Sequence, residues 1–224
     1  MSEEKKVTLL GRRAGELLAG LSTIVDDLWG ETPSPAATAS PAAPRPRPIA
    51  PEPEFPSFTQ LWKVADDTVD WTDALGRATP PDGLTDPEDW ALYHRYAGKV
   101  LAGDTDAYLD VIKAMQPLGD LGAYAASFDI AAPSADTLTA SCQALPGYLE
   151  KPGEEARRYL AGMAVRVARD LFALLPVTRV EVAMMKGEKA LLTVPFDKAE
   201  MLRVRFAFID PVDFAISCGG AFTD

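Results

Sequence analysis

The amino-acid sequence predicts an α+β fold, in which a helical hairpin precedes elements in the order ββαββα and an antiparallel sheet packs on a long helix. Two consecutive helical patterns occupy residues 87–115. Short stretches rich in small and β-branched residues occupy 126–143 and 177–196, and a long amphipathic pattern over 154–175 separates them. A change of hydrophobic period from helical to alternating is the main local signal for this class.

Composition limits the possible partners. The 224 residues include 47% hydrophobic residues, enough for a packed core, and carry a formal net charge of -11. The negative charge disfavours nucleic acid, because affinity for phosphate backbones comes largely from Lys and Arg. No apolar stretch of about eighteen residues and no signal-peptide pattern occur, so we expect a cytoplasmic protein with no membrane span.

Residues 1–30 are predicted to form an amphipathic helix. Its apolar positions recur every three or four residues, as in a heptad repeat: Val7, Leu10, Ala14, Leu17, Leu21, Ile24 and Leu28. Glycines at 11, 15 and 20 would weaken such a helix. The pattern over 7–28 predicts either self-association or docking on a protein partner, and alternatively packing on the chain's own domain.

Residues 31–56 are predicted to be a linker. Nine prolines lie between Pro33 and Pro56 among Ala, Ser and Thr, a composition that favours an extended spacer over a packed core. The stretch PRPRP at 44–48 is also a candidate ligand for an aromatic-lined groove. A plain spacer is the simpler interpretation.

Residues 57–224 are predicted to form one folded domain. SFTQ at 57–60 has the pattern of a capping box ahead of a short helix. Asp86 and Pro87 begin a helix that stops at Gly103, and Asp104 or Thr105 begins a second one that stops before Pro117. The aromatic residues of this region fall at helical spacing and are therefore expected in the core: Trp62, Trp71, Trp90 and Tyr93.

The remaining elements follow from pattern changes after residue 121. Residues 126–131 and 137–143 predict a β-hairpin around PSAD, and 177–185 and 189–196 predict a second one around Gly187. Residues 154–175 carry a broad apolar face and are predicted to be the central core helix. Asp197 and Asp210 are predicted to cap two short final helices.

Four phrases of the domain carry a family resemblance. WKVADDTVDWTDAL, HRYAGKVLAGDTDAYLDVI, VARDLFALLP and FIDPVDF, in this order, resemble an uncharacterised family of bacterial proteins. The likeness covers about residues 58–214. In family members this region often follows a small separate module, from which residues 1–30 differ. The resemblance implies no activity, cofactor or site residue.

His94 and a group of aspartates are the candidates for catalysis or metal binding. His94, the one histidine, would serve as a general base if a carboxylate oriented it; a boundary residue with a satisfied hydrogen bond is the alternative. Asp66, Asp67, Asp70 and Asp73 supply oxygens that a hard cation would accept. Their spacing does not match an EF-hand loop, so helix caps and a solvated acidic face are the better interpretation, as they are for Asp104 and Asp106.

Four arginines fall on the predicted helix over 154–175. Arg158, Arg166 and Arg169 are candidates for one face and an anion site, with Arg157 beside them. The alternative, which we favour, is a charged outer face paired with Asp170 and with Glu154 or Glu155.

Other signatures of chemistry are missing from the sequence. Cys142 and Cys218 lie far apart and are expected to be buried free thiols. No CxxC, GxGxxG, GxxxxGK[ST] or GxSxG pattern occurs, so we expect no metal and no cofactor. The sequence therefore predicts a non-catalytic protein-binding or adaptor domain with a tethered N-terminal helix. The alternatives are a hydrolase or metal-dependent enzyme using His94 and nearby acids, and a structural component of a bacterial assembly.

Overall fold

A computed structural model of the chain describes residues 5–10, 57–81 and 85–223. The described residues form seven helices and one six-stranded sheet, which confirms the α+β class. The strands are β1 (Lys6–Leu10), β2 (Ala125–Ser134), β3 (Thr137–Ala144), β4 (Arg179–Lys186), β5 (Lys189–Asp197) and β6 (Ala221–Phe222). The helices are α1 (Trp71–Gly76), α2 (Pro87–Leu101), α3 (Thr105–Met115), α4 (Pro146–Leu149), α5 (Gly153–Leu174), α6 (Lys198–Met201) and α7 (Pro211–Ser217). Single 3-10 turns lie at Leu61–Lys63, Gly119–Ala123 and Phe206–Phe208.

The sheet follows the order of the chain, β1-β2-β3-β4-β5-β6. Four of its pairings are antiparallel, but β3 and β4 are parallel, which corrects the expectation of a purely antiparallel sheet. The reason is the connection between them. Parallel neighbours need a long crossover, and here α5 supplies it by running back along the sheet between the two hairpins.

The N-terminal prediction is wrong where the structure describes it. Lys6–Leu10 is an edge strand, with Val7 opposite Ile130 and Leu9 opposite Phe128, and not the start of a heptad helix. The sequence KVTLL satisfies both periods, and the open edge of β2 decides between them because it offers backbone partners. The folded domain thus includes residues 6–10. The rest of the predicted helix and the predicted linker over 31–56 lie outside the described residues.

The predicted helical hairpin is confirmed in α2 and α3. The side chain of Asp86 accepts a hydrogen bond from the Glu88 amide, at 2.8 Å, and Asp104 accepts from the amides of Asp106 and Ala107. Between the helices Gly103 has φ 76°, a left-handed conformation that glycine adopts without strain. Both helix starts are therefore set by local sequence.

The core lies between one face of the sheet and α5. Alternate residues of β2 to β5 point to this face and are buried, whereas the opposite face is partly open to solvent. Helix α5 packs on β4 and β5, and α3 packs on β1 and β2. The tryptophans predicted to lie in the core, Trp62, Trp71 and Trp90, are buried. Among the described residues, no helix combines the length and the apolar character needed to cross a bilayer.

The segment 57–71 lies along α5 and packs against it. The ring of Trp62 packs so closely on Gly162 that a Cβ there would lie 2.8 Å from it. Further on, the Val69 amide donates to the carbonyl of Ala173, and Trp71 Nε1 donates to that of Leu174 at 2.7 Å. This segment therefore covers one side of the helix along much of its length.

Candidate functional site

A buried ion pair joins three segments of the chain at the middle of α5. Arg166 Nε lies 2.6 Å from Asp170 Oδ2, and the two side chains are 5% and 0% exposed. The Asp66 amide donates to the other oxygen of Asp170, at 3.1 Å. Arg166 Nη2 lies 2.9 Å from Asp120 Oδ2 and 3.8 Å from Asp66 Oδ1. The pair thereby ties α5 to the segment 57–71 and to the turn before β2.

The protonation of this pair is governed by burial. Burial raises the pKa of Asp170 to about 7, although Arg166 and the Asp66 amide act in the opposite direction. Burial acts to lower the pKa of Arg166, but the carboxylates around it outweigh this, and the pKa is raised. Arg166 therefore stays cationic, and carboxylates of the same domain balance its charge.

The expected arrangement of arginines on α5 is only partly correct. Arg166 does pair with Asp170, but the pair is buried and not on an outer face, because the segment 57–71 covers it. Arg158 pairs with Asp210 at 2.9 Å instead of with Glu154 or Glu155. Arg158, Arg166 and Arg169 have different partners, so they do not form the common anion site considered from the sequence.

Arg169 holds the wall of a groove. Its Nη1 donates to the carbonyl oxygens of Trp62 and Val64, at 2.6 and 3.1 Å. Its guanidinium lies 4.1 Å from the centre of the Phe206 ring. Burial lowers the pKa of Arg169. One arginine thus joins the segment 57–71 to the turn at Phe206–Phe208 across the surface of α5.

We name the concave surface next to Arg169 the α5 groove. It consists of two neighbouring cavities, of about 150 and 460 Å³, which share Thr68, Phe172, Ala173 and Lys198 in their linings. Residues 65–72 form one wall, and residues 198–206 form the other wall of the smaller cavity. Its floor is the apolar C-terminal part of α5.

Lys198 caps the C-terminus of α5 and lines this groove. Its Nζ donates to the carbonyl oxygens of Phe172 and Leu175, at 2.9 and 3.3 Å. These carbonyls belong to the last turn of the helix, where a cation is favoured. Burial lowers the pKa of Lys198. The contacts identify this lysine as a helix cap.

The two segments that wall the smaller cavity of the α5 groove carry exposed basic and apolar residues, which we define as the rim: Lys63, Val64, Leu202, Arg203, Arg205 and Phe208. Leu202 and Phe208 are 78% and 84% exposed, the highest values among the large apolar side chains of the described residues. Arg203 and Arg205 are exposed, and neither forms an ion pair with any residue that the structure describes. A chain of net charge -11 thus presents cations and bare apolar groups together.

His94 and the acidic cluster do not converge. His94 Nδ1 lies 2.7 Å from the carbonyl oxygen of Ala74, so the ring is exposed but has a hydrogen-bond partner. Asp70 caps α1 by accepting from the amides of Thr72 and Asp73. Asp73 pairs with Arg77, and Asp66 faces Arg166. Within residues 5–10, 57–81 and 85–223, no three His, Cys, Asp or Glu side chains are placed to share a metal ion.

The two cysteines differ from each other. Cys142 is a buried free thiol, as predicted, and burial raises its pKa. Cys218 is also free but only half-buried, because it follows α7 near the surface, so the prediction of burial is wrong there.

Sequence reasoning missed the rim. The stretch LRVRFAF at 202–208 alternates apolar and basic residues, which is the signal that was present. In the structure it forms no strand but irregular chain and one 3-10 turn, so its side chains are not sorted into a core face and a solvent face.

No family model, no curated protein and no solved structure matches this chain.

Proposed function

We propose that the domain is a non-catalytic protein-binding module, and that the α5 groove and its rim capture an acidic peptide segment of a partner protein that carries large apolar side chains. The observation that carries the proposal is the placement of Arg203 and Arg205 beside the bare side chains of Leu202 and Phe208 in a strongly acidic chain.

The apolar part of the rim supplies binding energy. Complete burial of a Leu or Phe side chain is worth about 1.5–3 kcal/mol. Leu202 and Phe206 both line the smaller cavity, and Phe208 follows Phe206 by two residues in the chain. An apolar side chain of the peptide would contact both the rim and the cavity.

The charged part supplies selectivity. The cations of Arg203 and Arg205 have no counter-ion among the described residues, so a partner's carboxylates meet no competing intramolecular pair. Charges at the edge of an interface mainly raise the association rate and reject wrongly charged partners. The strongly negative remainder of the chain would repel an acidic peptide elsewhere, which confines it to this surface.

The contacts around the candidate catalytic groups favour binding over catalysis. His94 is engaged by a backbone carbonyl, and Lys198 is engaged by two. A general base needs an orienting group and a free nitrogen directed at a substrate in a concave site. His94 does not line the α5 groove. We further propose that the protein is cytoplasmic, that it belongs to the bacterial family it resembles, and that its partner is not a nucleic acid.

The test is selection of binding peptides by the full chain. A random peptide library is selected against the wild type, with counter-selection against the variant Leu202→Ser/Phe208→Ser. We expect enriched peptides with Asp or Glu flanking large apolar residues. Their affinity should fall at least tenfold for Arg203→Glu/Arg205→Glu.

The matched control is Arg95→Glu/Lys99→Glu, which makes the same charge change at exposed positions of α2. It should leave peptide affinity within about twofold. The proposal is wrong if no acidic, apolar peptides are enriched, or if both charge variants weaken binding equally. If the wild type floated with phosphatidylserine vesicles and the Arg203→Glu/Arg205→Glu variant did not, the ligand of the rim would be an anionic membrane surface and not a peptide.

A further inference from the structure

Strand β1 is joined to the rest of its domain by 46 residues, 11–56, and both ends of this connection lie near the N-terminal end of β2. Leu10, before it, lies opposite Ser127 in the β1–β2 register. Ser57, after it, accepts a hydrogen bond through its carbonyl oxygen from Tyr124 Oη, at 3.2 Å. Tyr124 directly precedes β2, and Ser127 is its third residue.

The connection is long enough to reach a second copy of the chain. Its 46 residues could span at most about 150 Å if they were fully extended. By length, β1 is therefore able to reach the β2 edge of another molecule.

The contacts of β1 are shallow. Its inward side chains Val7 and Leu9 are only half-buried. Two side-chain hydrogen bonds are made here at exposed positions, one from Lys5 Nζ, just before the strand, to Asp106 Oδ2 at 2.6 Å and one from Thr8 Oγ1 to Asp129 Oδ1 at 2.5 Å. Among the described residues, this strand has a hydrogen-bonded neighbour on one side only. It is therefore easier to detach than a central strand such as β3.

The edge that receives β1 is built more firmly. The residues of β2 opposite Val7 and Leu9 are Ile130 and Phe128, which are almost fully buried. On its other side β2 is held by β3 over most of its length. When β1 leaves, this edge keeps its shape and presents unpaired backbone groups, which another strand of the same sequence would satisfy.

We propose that β1 is exchanged between two copies of this chain, so that Lys6–Leu10 of each copy pairs with β2 of the other in the register seen here. The second copy is the occupant because its strand carries the same Val7, Thr8 and Leu9 and repeats every contact of the intrachain arrangement. Exchange of identical elements closes into a two-fold dimer without any new surface. This self-association uses a strand and does not depend on the predicted helix over 7–28.

The test uses two differently tagged full-length chains in a Cys218→Ser background. One carries Thr8→Cys and the other Asp129→Cys, positions that face each other across β1 and β2. The chains are mixed, allowed to exchange, oxidised and separated under non-reducing denaturing conditions. Strand exchange brings the two cysteines of different chains opposite each other, so it should make a disulfide between these chains the favoured product.

We expect a covalent heterodimer that increases with protein concentration and is at least tenfold more abundant than in a matched control. The control pairs Thr8→Cys with Glu181→Cys, an exposed position on β4, three strands from β1 in the sheet. Light scattering on the wild type should give a mass that rises towards twice 24.1 kDa with concentration. Deletion of residues 1–10 should abolish this rise.

Absence of the heterodimer at every concentration would overturn the proposal. So would an equal yield in the control, which would indicate random collision. If the chain without residues 1–10 stays dimeric, self-association belongs to another surface, and strand exchange is wrong. Should that deletion prevent folding, the cross-link between full-length chains still decides the question.

Discussion

Helix α5 carries two arginines near its start and two near its end, and the two regions use the same side chain differently. Near the start Arg158, 52% exposed, pairs with Asp210 across 2.9 Å. Towards the end Arg166, 5% exposed, pairs with Asp170 across 2.6 Å. Both are short ion pairs, but only the second is removed from water.

The difference shows that the contribution of an arginine ion pair to stability depends more on its exposure to water than on the identity of its partner. An exposed pair loses little hydration and gains little, whereas a buried pair gives up hydration that must be replaced by close contacts. Arg166 has three carboxylates within 4 Å, and Asp170 also accepts the Asp66 amide. Both pairs join α5 to a distant segment, and the pair at Arg166 does so away from water.

The largest effect is expected from breaking the buried pair on one side. Arg166→Met leaves Asp170 buried without its cation and should lower the free energy of unfolding by about 3–5 kcal/mol, measured with urea. The double variant Arg166→Met/Asp170→Leu should lose less than Arg166→Met alone, because no isolated charge remains. If the loss in the double variant equalled the sum of the losses in Arg166→Met and Asp170→Leu, the two side chains would not be coupled.

The pH dependence of stability provides the next contrast. Burial raises the pKa of Asp170 to about 7 in the folded protein, whereas an unfolded aspartate has a pKa near 3.9. Folding therefore favours the protonated carboxyl, and its contribution is lost as the pH rises through 7. Unfolding by urea should show that wild type loses stability relative to Asp170→Asn between pH 5 and pH 8.

In the Asn variant position 170 does not titrate, while the neighbouring Asp66, Asp120 and Arg166 are unchanged. A difference between the two proteins that stays constant over this pH range would mean that ionisation of Asp170 is not opposed by burial.

Replacing Arg169 should lower stability by an amount between the effects expected at Arg166 and at Arg158. Arg169→Met removes two hydrogen bonds to carbonyl oxygens and the contact with the Phe206 ring, and should cost about 2–3 kcal/mol. Arg169→Lys keeps the charge but not the planar fork, so it should recover only part of the loss. Full recovery by lysine in thermal or urea unfolding would assign the effect to charge alone.

The smallest effect is expected at the exposed pair. Arg158→Ala should cost about 0.2–1 kcal/mol, and the cost should shrink in 1 M salt. Asp210→Ala should cost more, about 1 kcal/mol or above, because Asp210 also caps α7 by accepting from the Val212 amide at 2.8 Å. Equal losses for the two variants would show that the cap contributes little.

Local signals in the sequence predict four helix starts, whereas the capping box predicted at 57–60 is wrong because a 3-10 turn without a side-chain cap follows it. Asp86, Asp104, Asp197 and Asp210 each cap the helix that the sequence places after them. Each cap works within three residues of itself, which is why it is readable without the fold. The two hairpins and the long amphipathic helix are confirmed for the same reason, since their periods repeat over many residues.

The candidate site was far less accessible to this reasoning. Asp66 and Asp170 are 104 residues apart, and the sequence contains no sign that one donates its amide to the other. The interpretation of Arg166 as a surface charge followed from its neighbours on one helix, and it failed because a distant segment covers that face. The rim was missed because LRVRFAF forms no regular element.

The sequence by itself determined where helices start, which residues are apolar and how strongly negative the chain is, because these depend on near neighbours or on composition. The tertiary structure alone decided that KVTLL is a strand, that β3 and β4 run parallel, and that Arg166 and Asp170 are buried. Each of these depends on which distant backbone or side chain shares the space, and that contact sets the hydrogen-bond partners and the access of water.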